Sequence, residues 1–249
     1  MLYQAVISCC TLGLEPQLLS EYIFSEMCIE EESMSRTRIN IMIGLAVILL
    51  SATAAYADDD HHEDDRDEIA QRIGAGDPVA GKIKSFLCQA CHGADGNPAI
   101  PDCPKLAGQY AVYIRKEIKD FQSGSRKDPT MTDIAARLTN EQDLLDIAAY
   151  FASQNKMKGD HPVNNTAGKK RFQAGNGCET CHGINGKGLA PNSPYAPVIG
   201  GQFKSYLIKQ LKDFRSNARN NESSGMMGMI ADLMNDEQIE DVASYESGL

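Results

Sequence analysis

The sequence of 249 residues contains the motif Cys-x-x-Cys-His twice, at residues 88–92 and again at residues 178–182. Two cysteines three positions apart on a helical turn can each form a thioether with a vinyl group of haem, and the adjacent histidine then faces the iron. Two copies of the motif therefore predict two covalently bound haem c groups. The predicted attachment residues are Cys88, Cys91, Cys178 and Cys181, and the predicted proximal iron ligands are His92 and His182.

A pair of cysteines at this spacing also occurs in zinc sites and in thioredoxin-like redox pairs. A zinc ion held by both pairs would leave the two adjacent histidines without a role. A redox-active dithiol would be preceded by a β-strand, whereas residues 79–87 and 169–174, which precede the two motifs, have helical character. The repetition of the whole motif favours haem over both alternatives.

An internal repeat surrounds the two motifs. The motifs are offset by 90 positions, residues 104–109 match 197–202 at an offset of 93, and Met131 corresponds to Met227 at an offset of 96. The offset changes mostly in loops, as a gene duplication followed by loop insertions predicts. Each copy is short and would bury little apolar surface by itself, so we expect haem to form much of each core.

A haem that only transfers electrons usually has both axial positions of its iron filled, commonly by a histidine and a methionine. Methionine is the expected sixth ligand here, because histidines outside the motifs are too few for two sites with paired histidines. Packing in the core is the alternative role for each candidate methionine. The histidines that follow residue 57 and lie outside the motifs are His61, His62 and His161.

The repeat selects one methionine in each half of the chain. In the first half we predict Met131, which follows a Pro-Thr turn and precedes an apolar stretch with helical character. In the second half we predict Met227, because it lies three residues before Ile230, as Met131 lies three residues before Ile134. Met226 remains the alternative to Met227.

Glycines and prolines follow both motifs. Gly93 and Gly183 come directly after the two histidines, where the backbone passes close to a flat ring. Prolines stiffen the loops that come next. Such a loop can hold a backbone carbonyl against the N–H of the histidine and so fix the orientation of the ring. Ordinary turn chemistry is the alternative explanation.

Residues 34–57 are predicted to form a secretory signal peptide. Two arginines precede the apolar run 41–50, and an Ala-Tyr-Ala sequence ending at Ala57 fits the small-x-small rule for cleavage. An uncleaved anchor is the alternative, because the run is near the lower length limit for spanning a membrane. Covalent haem attachment takes place outside the bacterial inner membrane, so we expect the periplasm. Residues 1–33 lack a basic start and are interpreted as a gene-model extension before a true initiator at Met34.

Acidic residues outnumber basic ones after the predicted cleavage site. Residues 58–249 contain 28 Asp and Glu and 22 Lys and Arg. This balance argues against a nucleic-acid partner. Much of the excess lies in residues 58–75, which we predict to be a disordered acidic leader. A weak metal site at His61 and His62 is the alternative role for this segment.

Helical periodicity dominates the remaining sequence, and no strand-type alternation of useful length appears. We predict an all-α fold of two tandem domains, residues 76–154 and 166–249, joined by a polar linker at 155–165. Cys103 is the one cysteine after residue 57 that lies outside the motifs, and we expect it to pack rather than to react. The predicted helices are 77–91, 110–122, 140–153, 166–181, 203–216 and 236–247.

These motifs together resemble the dihaem cytochrome c4 family over essentially all of residues 58–249. The resemblance rests on the two Cys-x-x-Cys-His-Gly segments, Leu-Ala-Gly-Gln at 106–109, two Asp-Phe pairs followed by an arginine, and the Met-Met pair at 226–227. It implies two class I cytochrome c folds related by pseudo-twofold symmetry, His–Met ligation of both haems, and periplasmic electron transfer, often towards a terminal oxidase. The chain departs from the family at Glu246 and Ser247, where an apolar residue is commoner.

The predicted function is one-electron transport by a protein that is not an enzyme. An upstream quinol-oxidising complex or dehydrogenase would supply the electrons, and a terminal oxidase would accept them. Transient or peripheral association with a membrane is compatible with this role. The alternative is a cytochrome subunit of a dehydrogenase complex, such as a sulfide-oxidising flavocytochrome, which would have a stoichiometric partner. A third interpretation is a dihaem enzyme such as a peroxidase, which would need one open iron site.

Overall fold

Residues 72–189 and 196–249 are described by a computed structural model, and all regular secondary structure in these two ranges is helical. The predicted all-α fold is confirmed. Segments 1–33 and 34–57, together with residues 58–71 of the predicted leader, lie outside the described residues. A helix with the length and apolar character of a membrane span is not found in the described part of the chain. The helices are α1 Pro78–Lys84, α2 Phe86–His92, α3 Ala111–Ser123, α4 Pro129–Ala135, α5 Glu141–Ser153, α6 Thr166–Phe172, α7 Glu179–His182, α8 Lys204–Arg215, α9 Met226–Asp232 and α10 Asp236–Gly248.

The first helix of each repeat crosses the last helix of that repeat, α1 on α5 and α6 on α10. A glycine occupies each crossing point. A Cβ atom on Gly81 would lie 1.9 Å from the carbonyl oxygen of Asp146, and one on Gly168 would lie 2.1 Å from that of Asp241. Both glycines therefore permit a backbone approach that no other residue allows. This crossing brings the start and the end of each repeat together around its Cys-x-x-Cys-His motif.

Two of the predicted helices are interrupted. The predicted helix 77–91 is divided at Ser85, whose N–H donates to the Gly81 carbonyl while its hydroxyl donates to the Lys82 carbonyl. The predicted helix 166–181 ends at Phe172, because two glycines with low helix propensity follow before α7 begins. The structure also contains α4 and α9, which carry the candidate methionines and were not among the predicted helices.

Each repeat has its own hydrophobic core, and a third, smaller cluster joins the two repeats. Met157 belongs to this third cluster and is only 1% exposed, although it lies in the predicted linker 155–165. The first core includes Phe121, Leu144, Ile147 and Phe151; the second includes Phe172, Phe214, Ile239 and Val242; the third contains Tyr110, Met157 and Val198.

Two glutamines at equivalent positions of the repeat bind the opposite repeat in the same way. Gln109 donates to the Val198 carbonyl at 2.8 Å and accepts from the Val198 N–H at 2.9 Å. Gln202 donates to the Lys105 carbonyl at 2.9 Å and accepts from the Lys105 N–H at 2.9 Å. Gln109 and Lys105 lie 93 positions before Gln202 and Val198 respectively. This exchange of contacts confirms the predicted pseudo-twofold relation between the two repeats.

A buried network of charged side chains lies at the same interface. Arg126 donates to Glu117 Oε2 at 2.6 Å and to the Tyr206 hydroxyl at 3.0 Å. Arg219 reaches Glu117 Oε1 at 3.2 Å and donates to the Tyr113 hydroxyl at 3.0 Å. Glu117 thus contacts an arginine from each repeat. The network joins the two repeats through charge-assisted hydrogen bonds, which are stronger than neutral ones.

Candidate functional site

The two motif histidines are held in the same way in both repeats. His92 and His182 lie at the C-terminal ends of α2 and α7 and are 6% and 5% exposed. The Nδ1 of His92 lies 2.8 Å from the Pro104 carbonyl oxygen, and the Nδ1 of His182 lies 2.8 Å from the Pro197 carbonyl oxygen. A carbonyl only accepts, so Nδ1–H donates and Nε2 keeps its lone pair. The predicted contact between a loop carbonyl and the histidine is confirmed in both repeats.

Burial also keeps both imidazoles neutral. It lowers the pKa of His92 and of His182 below the ordinary value, while the hydrogen bond to each proline carbonyl acts in the opposite direction. A neutral imidazole with a free Nε2 is the form that binds a metal. Both histidines are therefore in the chemical state that an axial iron ligand needs.

A glycine directly after each histidine turns the chain towards the proline. Gly93 and Gly183 have φ angles of 80° and 81°, in the left-handed region that favours glycine. Three residues later, the Gly96 carbonyl accepts from the Leu106 N–H at 2.8 Å. In the second repeat, the Gly186 carbonyl accepts from the Ile199 N–H at 2.8 Å. These bonds fix the loop that brings each proline carbonyl to its histidine.

Each motif has an inner cysteine and an outer cysteine, which differ in their exposure to solvent. Cys88 and Cys178 are half-buried, whereas Cys91 and Cys181 are exposed. Burial raises the pKa of Cys88 to about 11, and burial likewise raises the pKa of Cys178. Before haem attachment, both inner cysteines are therefore protonated thiols at neutral pH. The structure places each pair beside its histidine, as attachment of one haem per motif requires.

Met131 lies in the first turns of α4. The Asp128 carboxylate caps this helix by accepting from the Met131 N–H at 3.0 Å, and Pro129 occupies the first helical position, where no donor is lost. The Met131 side chain is half-buried and packs against the first core cluster. It remains the predicted sixth ligand of the first haem.

The corresponding helix α9 carries three methionines, of which Met227 faces the core. Met227 packs against the second core cluster, whereas Met226 is 46% exposed and Met229 is 57% exposed. The Glu222 carboxylate accepts from the Met227 N–H and so fixes the start of the helix. Burial therefore favours Met227 over Met226 as the ligand of the second haem, and the assignment stays a prediction.

The donor set fits covalent haem c better than zinc. Each repeat offers two thiols three positions apart in the sequence, a neutral imidazole and a methionine sulfur. In residues 72–189 and 196–249, no three or more His, Cys, Asp or Glu side chains come close enough to hold a metal ion between them. A cavity of about 530 Å³ opens beside Cys178 and is lined in part by Ile230 and Met234, without reaching His182 or Met227. Its volume is within the range of small-ligand sites.

The structure also places three residues that lie outside the predicted ligand set. Cys103 is only half-buried and lies beside Cys91, where burial raises its pKa. His161 contacts the Asp160 carboxylate at 2.7 Å, in keeping with a linker residue. Glu246 is buried against Cys178. The sequence marked Glu246 as a departure from the family, at the position where the first repeat has Phe151, but did not predict its burial against Cys178.

Comparison with known proteins identifies relatives over most of the described chain. The family model described as Cytochrome c matches residues 81–155 and 166–245. The chain is 41% identical over 183 residues to cytochrome c4 of Pseudomonas aeruginosa, covering 70% of this chain and 90% of the relative. It is 33% identical over 225 residues to the thiosulfate dehydrogenase electron acceptor of Stutzerimonas stutzeri, covering 82% and 92%. The solved structure of reduced recombinant cytochrome c4 from Pseudomonas stutzeri superposes with a TM-score of 0.64 at 39% identity, covering 70% of this chain and all of that one.

Proposed function

This chain belongs to the cytochrome c4 family and is an electron carrier with two covalently bound haem c groups, and we propose that both irons have histidine and methionine as axial ligands. The observation that carries the proposal is the duplicated site. Both repeats hold a buried, neutral histidine against a proline carbonyl at 2.8 Å. In both, a methionine on a separate short helix packs against the core of the same repeat.

The residues of each site have separate tasks in this proposal. The cysteines hold the porphyrin, and the proline carbonyl orients the imidazole and increases its basicity. The methionine sulfur would be the second protein ligand of the iron and would favour a high reduction potential. When bound, each haem supplies an iron that gains or loses one electron. With histidine and methionine both bound to the iron, neither haem would offer an open position to a substrate.

We further propose that the chain functions in the periplasm, after cleavage of the signal peptide behind Ala57. Its donor would be a quinol-oxidising complex or a dehydrogenase, and its acceptor would be a terminal oxidase. Mass spectrometry of the native protein tests the processing. The expected N-terminal residue is Asp58, and a peptide from residues 1–33 in the mature protein would overturn the proposed start.

A second candidate role is that of the dedicated electron acceptor of a dehydrogenase. The similarity to a thiosulfate dehydrogenase electron acceptor over 82% of this chain favours it. The ligation would be the same, so the two roles differ in the partner. Rapid-mixing kinetics with thiosulfate dehydrogenase and with membranes that contain a terminal oxidase would separate them. Co-purification with a dehydrogenase at a fixed ratio would establish the second role.

The optical spectrum of the purified protein tests the proposed ligation. We expect two haems per chain, a charge-transfer band from methionine to ferric iron that accounts for both haems, and no binding of carbon monoxide to the reduced form. Binding of carbon monoxide at one haem of the unmodified protein would show an open site. That result would contradict the closed carrier and support an enzyme or a sensor.

A further inference from the structure

Glu246 is a buried carboxylic acid beside the attachment site of the second haem. Its side chain lies on α10, is 3% exposed, and interacts with the side chain of Cys178. Because Cys178 is the predicted thioether residue, a haem attached there would have this carboxyl group beside its attachment point. The function predicted from the sequence assigns no role to Glu246.

The first repeat has no such acid. The Gly201 N–H donates to the backbone carbonyl of Glu246 at 2.8 Å, and the Gly108 N–H donates in the same way to that of Phe151 at 2.9 Å. Glu246 and Phe151 are therefore equivalent positions of the two repeats. Phe151 is fully buried in the first core. At this equivalent position, the first haem site thus has an apolar residue and the second has an ionisable one.

The surroundings of Glu246 favour its neutral form. Burial raises the pKa of Glu246 to about 8, and the hydrogen bond with Cys178 lowers it by less. A thioether has no hydrogen to donate, so haem attachment at Cys178 removes this opposing effect. Burial and Cys178 are the two causes of the pKa shift at Glu246. The nearby charged groups have other partners: Arg171 of α6 acts on Cys178, Glu179 of α7 acts on Tyr245, and Lys204 of α8 pairs with Glu240. Lys187 donates to the Leu249 carbonyl, and His161 lies near the Ser247 hydroxyl.

A charge change at the iron must act on this group. Ferric haem carries one more positive charge than ferrous haem, and an opposite charge nearby favours an ionised carboxylate. The interaction is strong in a buried site, because little water screens it. Oxidation of the second haem therefore favours loss of the Glu246 proton, and reduction favours its return.

We propose that Glu246 binds a proton when the second haem is reduced and releases it when that haem is oxidised, so that proton and electron transfer are coupled at this haem alone. The inference rests on the proposed one-electron function of the second haem. On reduction, an electron from the redox partner converts Fe³⁺ to Fe²⁺, and a proton from solvent converts the Glu246 carboxylate to the acid. Oxidation reverses both changes, and no bond to the porphyrin forms or breaks.

The test is a spectroelectrochemical titration of the full dihaem protein from pH 5 to pH 10, compared with Glu246→Gln. In the unmodified protein one of the two reduction potentials should fall with rising pH, by at most about 59 mV for each tenfold change in proton concentration. Glu246→Gln should lose this slope for that haem and leave the other haem unchanged. Glu237→Gln, an exposed change on the same helix, is the matched control and should keep the slope. Haem propionates are common to all three proteins, so the difference isolates Glu246.

Infrared difference spectra of the reduced and oxidised protein give a second readout. A carboxylic acid C=O band should appear on reduction and be absent in Glu246→Gln. Equal slopes in the unmodified protein and Glu246→Gln, or a band that survives the substitution, would overturn the proposal. Neither result affects the proposed carrier function, which fails instead if one haem binds carbon monoxide or is not reduced reversibly by one electron.

Discussion

Replacement of Glu117 by glutamine should destabilise the contact between the two repeats. Glu117 contacts a buried arginine from each repeat, Arg126 at 2.6 Å and Arg219 at 3.2 Å. Its equivalent in the second repeat is Gln210, which accepts from both arginines through its amide oxygen. Glu117→Gln keeps the size of the side chain and removes the negative charge. The two arginines then remain buried with no carboxylate in contact with both of them.

The size of the effect follows from the pKa of Glu117. Burial opposes its ionisation, but Arg219, Arg126 and Lys116 outweigh burial and lower its pKa from 4.5 to about 2. This difference corresponds to roughly 3 kcal/mol at 1.36 kcal/mol per pKa unit. Removal of one partner from a buried ion pair typically costs about 3–5 kcal/mol, in agreement with that figure. We therefore expect Glu117→Gln to lose about 3 kcal/mol of unfolding free energy at pH 7.

Guanidinium unfolding of the haem-loaded protein, followed by circular dichroism, measures the loss. Glu141→Gln is the control, because Glu141 pairs with Arg115 and Lys119 at the surface, and exposed pairs contribute little. The contribution of Glu117 is fully present above its unfolded pKa of 4.5 and is lost as the pH falls towards 2. Glu117→Gln should lack this part of the acid dependence. A variant as stable as the control, or one with unchanged acid dependence, would refute the reasoning.

Three further predictions concern the candidate methionines, the helix crossing and Glu246. Met131→Ala and Met227→Ala should each let carbon monoxide bind at one reduced haem. Met226→Ala should leave both haems closed to carbon monoxide. If carbon monoxide binds in Met226→Ala and not in Met227→Ala, then Met226 is the ligand of the second haem. Gly81→Ala should cost about 1–3 kcal/mol of unfolding free energy or more, because the new methyl group would lie 1.9 Å from a carbonyl oxygen; stability equal to the unmodified protein in thermal unfolding would contradict the close crossing. Glu246→Gln should remove the pH dependence of one haem potential, as measured by spectroelectrochemistry.

The fold could be predicted because the strongest signals in the sequence are local and occur twice. The Cys-x-x-Cys-His motif fixes a helical turn and a ligand together, and the repeat transfers each assignment from one half to the other. The helix interruption at Ser85 could not be predicted in this way, because the helical pattern of residues 77–91 continues through it. The short helices α4 and α9 have only seven residues each, too few for a clear period.

The contacts between the repeats could not be predicted from the sequence for a different reason. The pairing of Glu117 with Arg219 joins residues about a hundred positions apart, and no local pattern encodes it. The matched arginines, Arg126 and Arg219, stand at equivalent positions of the two repeats. They did not show that the two cations share a single carboxylate, because that depends on how the repeats face each other.

Duplication gives the two haem sites the same geometry, so a difference between them must come from the substitutions that followed. The histidine Nδ1 lies 2.8 Å from a proline carbonyl oxygen in both repeats, so the same hydrogen bond orients each imidazole. The ionisable groups differ instead. Glu117 is opposite Gln210 at the interface, and Glu246 replaces Phe151 beside a haem attachment site. Burial is outweighed by the neighbouring arginines, which lower the pKa of Glu117 to about 2 and keep it charged at physiological pH, whereas burial raises the pKa of Glu246 to about 8. Glu117 therefore makes the electrostatic surroundings of the two haem sites unequal at all physiological pH values. Glu246 makes them unequal to a degree that depends on pH.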